Sequence, residues 1–169
     1  MKALQIYYRR FCMLATWKKF FVLFLLFLPL RLAFGLFSEF WFEDEIQVYL
    51  IGLKLYTTGH WPFFGPDIVY TKSQIPGALL GLLVGLPFYL LRIPESPYLL
   101  LNILSFFSLF MLGVYIKKYR NLNIPEWFLW TWLFLAPWVM SFSTHILNVS
   151  YVLPAAVFFF IAFFEIIPV

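Results

Sequence analysis

The sequence contains few charged residues, since only 12% of its 169 positions are Asp, Glu, Lys or Arg. A soluble globular domain has about 25% charged and about 45–50% apolar residues. In this chain 63% of the residues are hydrophobic, and the mean hydropathy is +0.87. Its polar side chains are too few to cover a domain that faces water on all sides. The composition therefore excludes an ordinary soluble domain and predicts a membrane protein.

Cysteine and histidine are also scarce. Cys12 is the only cysteine, and His60 and His145 are the only histidines. A lone cysteine excludes an internal disulfide framework and any metal site built on cysteines. The two histidines lie far apart in the sequence and lack the spacing of zinc ligands. Neither residue type therefore predicts a structural metal centre.

Basic residues are concentrated before the first long apolar run. Positively charged segments next to a span stay in the cytoplasm. We therefore expect a cytoplasmic segment over 1–19, and no nucleic-acid partner despite the net charge of +4. Residues 20–37 are longer than a typical signal-peptide core and lack a small-x-small cleavage site, so they are predicted to be a retained first span.

Residues 38–75 are predicted to form an extracytoplasmic loop, because they carry five of the eight acidic residues of the chain. Apolar residues at helical spacing, including Ile46 and Leu50, predict an amphipathic helix over Asp44–Tyr56. Negative charge in its first turn is favourable for a helix. We expect this helix to lie on the outer leaflet of the membrane.

Glycine and proline interrupt the chain after this helix. Thr58–Pro62 is expected to end the helix, and Gly65–Asp67 to turn the chain. Residues 76–91 are apolar but short for a span, and the segment is rich in glycine and proline. If they crossed the membrane, the basic cluster at 117–120 would lie outside, against the positive-inside rule. We therefore favour a re-entrant or surface segment over a crossing.

Three further apolar segments, 98–116, 127–140 and 151–164, are predicted spans. The polar stretch 141–150 then lies on the same side of the membrane as the acidic loop. The predicted fold is all-α and polytopic, with about four spans plus the re-entrant or surface helix. We expect one membrane domain, with 76–169 containing the re-entrant segment and the later spans.

The acid triplet Glu43-Asp44-Glu45 is the strongest chemical signal in the sequence. Crowded carboxylates repel one another, so one can stay protonated or the group can bind a divalent cation. A poised Asp44 could accept a proton from a hydroxyl group. The alternative is structural, because acids also stabilise a helix start and here would mark the outer boundary of the membrane.

The order of several short motifs resembles the GT-C glycosyltransferase superfamily. It is similar to the dolichyl-phosphate-mannose protein mannosyltransferases and the bacterial aminoarabinose transferases that act on lipid A. The matching residues follow a basic cytoplasmic start and run through most of the chain: Arg31-Leu32, Asp44-Glu45, Gly59-His60-Trp61-Pro62, Gln74-Ile75-Pro76-Gly77 and Asn148-Val149-Ser150-Tyr151. Members of this superfamily are several times longer, so the chain is expected to be an incomplete N-terminal portion.

The resemblance implies transfer of a sugar from a polyprenyl-phosphate donor to an acceptor hydroxyl at the outer face. Asp44 would be the catalytic acidic residue, which activates the acceptor or helps to hold a divalent metal, and Glu45 would support it. The expected location is a bacterial inner membrane, with the N-terminus in the cytoplasm. The partners are then the lipid-linked donor, membrane lipids and an unidentified acceptor.

Other polar residues are weaker candidates for contact with the donor. A leaving lipid phosphate needs positive charge nearby, which Lys54, Lys72 or Arg92 could supply, although such residues usually extend to lipid headgroups. His145 and Asn148, three residues apart, would share a helical face and could line a donor cavity or cap a helix end.

Two further hypotheses concern charge and function. Arg31 lies inside the first span, where an ionisable side chain is usually paired, so it is expected to pair with Glu39 or Glu43 or to reach the interface. The alternative to the enzyme is a non-catalytic membrane subunit or assembly protein, in which the acids only set topology and the aromatic helices dock on partner helices.

Overall fold

The computed structural model describes residues 2–38, 43–68, 73–77, 79–119, 124–147 and 149–166. These residues form an all-α fold with one small β-hairpin, which confirms the predicted fold class. The elements are α1 (Lys2–Cys12), α2 (Thr16–Phe37), α3 (Glu43–Thr58), β1 (Phe64–Ile68), β2 (Ser73–Pro76), α4 (Leu79–Gly85), α5 (Pro87–Leu90), α6 (Ser96–Tyr119), α7 (Glu126–Leu135), α8 (Pro137–Thr144) and α9 (Val152–Ile166).

Two described helices are long and apolar enough to cross a membrane: the 22-residue α2 and residues Ser96–Lys118 of α6. A span needs roughly 20 apolar residues, and α9 is shorter, with 15. These two helices agree with the prediction of a membrane protein. The predicted number of four spans stays a prediction.

Aromatic side chains form the core between α2, α6 and α7. The Phe106 ring stacks on the Phe134 ring, with 4.5 Å between centroids, and the Phe110 ring stacks on Trp130 at 5.4 Å. On the other side, the edges of Phe20 and Phe24 meet Phe106 at 5.7 and 5.4 Å. Offset and edge-to-face aromatic pairs contribute beyond the area that they bury, so this cluster joins the three helices.

The segment of the predicted span 127–140 is not one continuous helix, and the span itself stays a prediction. It divides into α7 and α8 at Ala136, whose ψ of 133° is extended. Pro137 follows, and a proline disfavours helical backbone in the residue before it. The break leaves the last carbonyl groups of α7 without partners inside the helix.

The α3 helix confirms the predicted helix, and the side that packs on the rest of the protein is not the side with Ile46 and Leu50. Ile46 and Leu50 are 42% and 54% exposed, whereas Val48 is 1% exposed and Gly52 is also buried. The reason is close packing on α4, because a Cβ placed on Gly52 would lie 2.5 Å from Val84 Cγ1. A glycine therefore decides which side of α3 turns inward.

The segment that follows α3 is partly as expected. Gly59 has φ of 69° and ends the helix, which confirms the predicted break over Thr58–Pro62. The predicted turn at Gly65–Asp67 is wrong, since these residues lie in β1, antiparallel to β2. The pairing register shifts between Phe64 and Asp67, an irregularity of the kind that accommodates a proline in a strand.

The helix ends show how the chain runs between the two ends of the bundle. At one end, Lys19 near the start of α2 forms an ion pair with Glu126 at the start of α7, with 2.9 Å between Nζ and Oε2. At the same end Lys117 Nζ donates to the Ile124 carbonyl over 2.9 Å. At the opposite end, Ser38 after α2 contacts His145 after α8. Residues 43–95 connect the outgoing α2 to the returning α6.

That arrangement is consistent with a non-crossing segment over 76–91, which stays a prediction. The α4 helix has seven residues and α5 has four, and each is far shorter than the roughly 20 residues of a span. The C-terminal end of α6, with Lys117, lies at the same end as the start of α2. The side of the membrane that each end faces stays a prediction from the distribution of charge.

Candidate functional site

A polar cavity lies where α2, α3, α6 and α8 meet at one end of the bundle. Its volume is about 340 Å³. The site is built from helix ends, where backbone groups and polar side chains can face one space. Its lining residues are Gly35, Leu36, Phe37, Ser38, Glu45, Tyr49, Pro94, Glu95, Tyr98 and His145.

Glu45 is the buried carboxylate of this polar cavity. It belongs to the first turn of α3 and is only 1% exposed. Its Oε1 accepts two hydrogen bonds, from the Tyr98 hydroxyl over 3.0 Å and from the Ile146 backbone N–H over 3.1 Å. These bonds join α3 to the start of α6 and to the segment after α8. Glu45 therefore fixes the position of the α3 N-terminus.

His145 forms the opposite wall of the polar cavity. Its Nε2 lies 3.0 Å from Ser38 Oγ, and its Nδ1 lies 3.1 Å from Thr144 Oγ1 and 3.2 Å from the Ser141 carbonyl. Both ring nitrogens thus have protein partners. A Cβ placed on Gly35 would lie 2.7 Å from the Thr144 carbonyl, so the absence of a side chain there lets α8 approach α2.

The predicted helical face shared by His145 and Asn148 is wrong. The α8 helix ends at Thr144, and His145 has extended backbone with φ of −105° and ψ of 147°. Asn148 lies outside the described residues. His145 nevertheless lines the polar cavity, and its contact with a donor stays a prediction.

Tyr49 and Glu95 lie at the more exposed side of the polar cavity. The Tyr49 hydroxyl donates to the Pro94 carbonyl over 3.1 Å. Burial, together with the negative charge of Glu95, raises the pKa of Tyr49 above its ordinary value. The hydroxyl therefore stays protonated at neutral pH and remains a hydrogen-bond donor.

Asp44 occupies the same turn as Glu45 but faces the other way. Its side chain is exposed, and it is not among the residues that line the polar cavity. Among the described residues it has no hydrogen bond or ion pair. Two adjacent acids of one motif thus have different environments: Glu45 is held inside the protein, and Asp44 is open to an incoming group.

The predicted cationic residues do not gather around these acids. Lys54 is exposed and lines a separate groove beside His60. Arg92 is exposed in the segment between α5 and α6, two residues before the cavity residue Pro94. Lys72 lies outside the described residues. Among the residues that the structure describes, no lysine or arginine lines the polar cavity.

A divalent-metal site at Asp44 finds no preassembled ligand set in the described part of the chain. No group of three or more His, Cys, Asp and Glu side chains comes together there. Glu45 already accepts two hydrogen bonds through one oxygen. A divalent ion at Asp44 would therefore depend on ligands from water, substrate or other residues.

Arg31 is fully buried beneath the polar cavity. It donates through Nη1 to the Phe134 carbonyl over 2.9 Å and through Nη2 to the Ser143 hydroxyl. The expected pairing with Glu43 is wrong, because Glu43 is exposed and forms no ion pair with it, while Glu39 lies outside the described residues. Instead, the positive charge meets the free C-terminal end of α7, where a helix favours cations.

Sequence reasoning did not identify Ser38, Tyr49 and Tyr98 as parts of the site. Ser38 and Tyr98 lie at the ends of predicted apolar helices, and that position is the one signal that could have selected them. Tyr49 lies in the middle of α3, and no sequence signal selects it. The partners of Ser38 and Tyr98 are distant in sequence: Tyr98 is 53 residues from Glu45, and Ser38 is 107 residues from His145. Long-range pairs of this kind follow only from the packing of the helices.

No protein-family model, curated protein or solved structure matches this chain.

Proposed function

We propose that this chain is the N-terminal portion of a membrane glycosyltransferase. It transfers a sugar from a polyprenyl-phosphate donor to an acceptor hydroxyl at the extracytoplasmic face. The observation that carries the proposal is the pair of unlike acids at the start of α3: Glu45 buried and bonded to Tyr98, and Asp44 exposed beside it. The pair lies at the end of the bundle where α2 ends and α6 begins.

The position of the acids suits a donor that is anchored in a membrane. A polyprenyl chain stays in the hydrocarbon, so its sugar phosphate lies at headgroup depth. A base at the end of a span lies at the same depth as the sugar phosphate. Holding the base at that depth lowers the entropic cost of the reaction. The α2 helix ends at Phe37 and α3 begins at Glu43, so only a short connection separates a candidate span from Asp44.

In the proposed reaction, the Asp44 carboxylate accepts the proton of the acceptor hydroxyl. The acceptor oxygen forms a bond to the anomeric carbon of the sugar. The bond from that carbon to the lipid-phosphate oxygen breaks, and the phosphate leaves with the electron pair. Glu45 is a positioning residue, because its hydrogen bonds to Tyr98 and Ile146 hold the turn that carries Asp44.

Positive charge stabilises the departing phosphate. Of the predicted cations, Arg92 is nearest in sequence to the wall of the polar cavity, which contains Pro94 and Glu95. We therefore propose Arg92, ahead of Lys54 and Lys72, as the residue that stabilises the departing phosphate. A divalent ion bound between Asp44 and the donor phosphate would supply the same charge.

One observation favours a non-catalytic membrane subunit instead. The described polar contacts of Glu45 and His145 are internal and join helix ends, as expected of groups that only stabilise the fold. In that case the exposed aromatic side of α9 would dock on partner helices. Its exposed rings are Phe158, Phe159, Phe160, Phe163 and Phe164.

Transfer assays on Asp44→Asn distinguish these functions. Membranes that contain the full-length protein, of which this chain is the proposed N-terminal portion, are supplied with radiolabelled mannose or aminoarabinose on polyprenyl phosphate, and transfer of the label is measured. We expect Asp44→Asn to lower the rate by about 100-fold or more, the usual effect of a general base, with normal insertion. Glu43→Gln, which removes an exposed acid from the same turn, is the matched control and should keep the rate. Equal rates in the two variants would contradict the assignment of Asp44.

A further inference from the structure

Two grooves adjoin at the β-hairpin, on residues that the polar cavity does not use. One has a volume of about 560 Å³ and lies between the hairpin, α4 and α9. The other, of about 520 Å³, lies between the hairpin and the end of α3. Gly65 lines both, and each volume falls within the roughly 300–1,000 Å³ of small-molecule sites.

The groove at the end of α3, the basic groove, contains two basic side chains among apolar and aromatic residues. Lys54 and His60 line it and are exposed, and neither has a side-chain hydrogen bond or ion pair among the described residues. Thr58 Oγ1 donates to the Lys54 carbonyl over 2.7 Å and accepts from the His60 backbone N–H over 3.2 Å. These bonds fold His60 back beside the last turn of α3. Two side chains that can donate hydrogen bonds therefore face one groove.

The groove beside α9 is apolar. Ala155 and Ala156 line it from the helix, and their small side chains leave space between Phe159 and Leu79. The α9 helix is one of the shorter apolar helices of the chain. A groove of this composition along such a helix suits a hydrocarbon chain.

Exposed aromatic residues surround the junction of the two grooves. Trp61, Phe63 and Phe64 are exposed and line the basic groove. Aromatic rings, above all those of Trp and Tyr, collect at the boundary between hydrocarbon and headgroups. This belt places Lys54 and His60 at the depth where a lipid carries its phosphate.

We infer that these grooves bind an anionic membrane phospholipid. Its phosphate meets Lys54 and His60, and an acyl chain continues past Gly65 along Ala155 and Ala156. The site rests on α2 and α6 lying in a bilayer and does not depend on sugar transfer. Anionic lipid, rather than any phospholipid, is favoured because the described residues of the basic groove include no acid.

Native mass spectrometry of the detergent-solubilised protein tests this site. The protein is titrated with phosphatidylglycerol or with phosphatidylcholine, and the retained lipid is counted. We expect about fivefold preference for phosphatidylglycerol, the effect of one basic residue beside an anionic headgroup. Lys54→Gln should remove the preference. Ala155→Phe, which fills the apolar groove, should reduce the retention of both lipids.

Lys18→Gln is the matched control, because Lys18 is also exposed and lies beside a tryptophan, 5.4 Å from the Trp17 ring. It should keep the preference. Equal retention of both lipids by the unaltered protein would overturn the site, and so would a preference that persists in Lys54→Gln or disappears equally in Lys18→Gln. Asp44→Asn should leave lipid retention unchanged, so failure of the enzymatic proposal would be seen separately.

Discussion

Glu45 and Asp44 are neighbours in sequence, yet they differ in burial and in partners. The Glu45 carboxylate replaces its lost hydration with the Tyr98 hydroxyl and the Ile146 N–H, because a buried polar group must be hydrogen-bonded. Asp44 keeps its contact with solvent. Under the proposed function, this difference suits positioning by Glu45 and proton transfer by Asp44, the division that the resemblance implies.

Removing the Glu45 carboxylate should destabilise the protein. In Glu45→Ala two buried donors lose their acceptor, and each unsatisfied group costs about 1–3 kcal/mol. Thermal unfolding in detergent should show a clear loss of stability. Asp44→Ala, one residue earlier and exposed, should stay within about 0.5 kcal/mol of the unaltered protein. Equal losses in the two variants would contradict the anchoring role of Glu45.

Tyr49 should make stability depend on pH in the alkaline range. Because burial and Glu95 raise the pKa of Tyr49 in the folded protein above the ordinary value of 10.0, the unfolded chain loses this proton first. The contribution is therefore complete below pH 10 and declines above it. Unfolding of Tyr49→Phe should show a weaker decline above pH 10 than the unaltered protein. An identical decline would show that Tyr49 is not responsible.

At the scale of elements, the break between α7 and α8 explains the buried charge of α2. Pro137 interrupts the helix, the Phe134 carbonyl loses its helical partner, and Arg31 donates to it. A cation at a helix C-terminus is favourable. The arginine thus connects three helices at the level beneath the polar cavity.

Arg31→Ala should loosen the contacts of α2 with α7 and α8. The change removes the bond to Phe134 and leaves space in the core, and a hydrogen bond from a charged group is worth about 1.5–3 kcal/mol. We expect a lower midpoint of thermal unfolding. We also expect α8 to shift, so that His145 is held less firmly in the wall of the polar cavity. Arg9→Ala, in the exposed part of α1, is the control. An unchanged midpoint would mean that Arg31 does not stabilise the break.

The sequence predicted the existence of the main helices better than their packing. Long apolar runs require helices, and α2, α3 and α6 appear where they were expected. The packing of α3 on α4 was not predicted, because hydrophobic spacing identifies Ile46 and Leu50 as the apolar side of the helix, whereas the contact with α4 depends on Gly52. The acids were found from the sequence, but Tyr98 and Ser38 were not, since their contacts arise from helix ends that meet over long separations.

At the scale of the whole molecule, the bundle has two chemically different ends. Lys19 and Lys117 lie at one end, and the carboxylates of α3 lie at the other. The positive-inside rule predicts that the basic end faces the cytoplasm. The proposed function requires this orientation, because the donor sugar must meet Asp44 at the extracytoplasmic face.

Thiol labelling of position 44 on intact cells tests that requirement most directly. In a Cys12→Ala background, Asp44→Cys and Lys118→Cys are exposed to an impermeant maleimide, with and without a polyprenyl-phosphate sugar. We predict that position 44 is labelled, that the donor lipid slows its labelling, and that position 118 reacts only after permeabilisation. Labelling of position 44 only after permeabilisation would contradict the account.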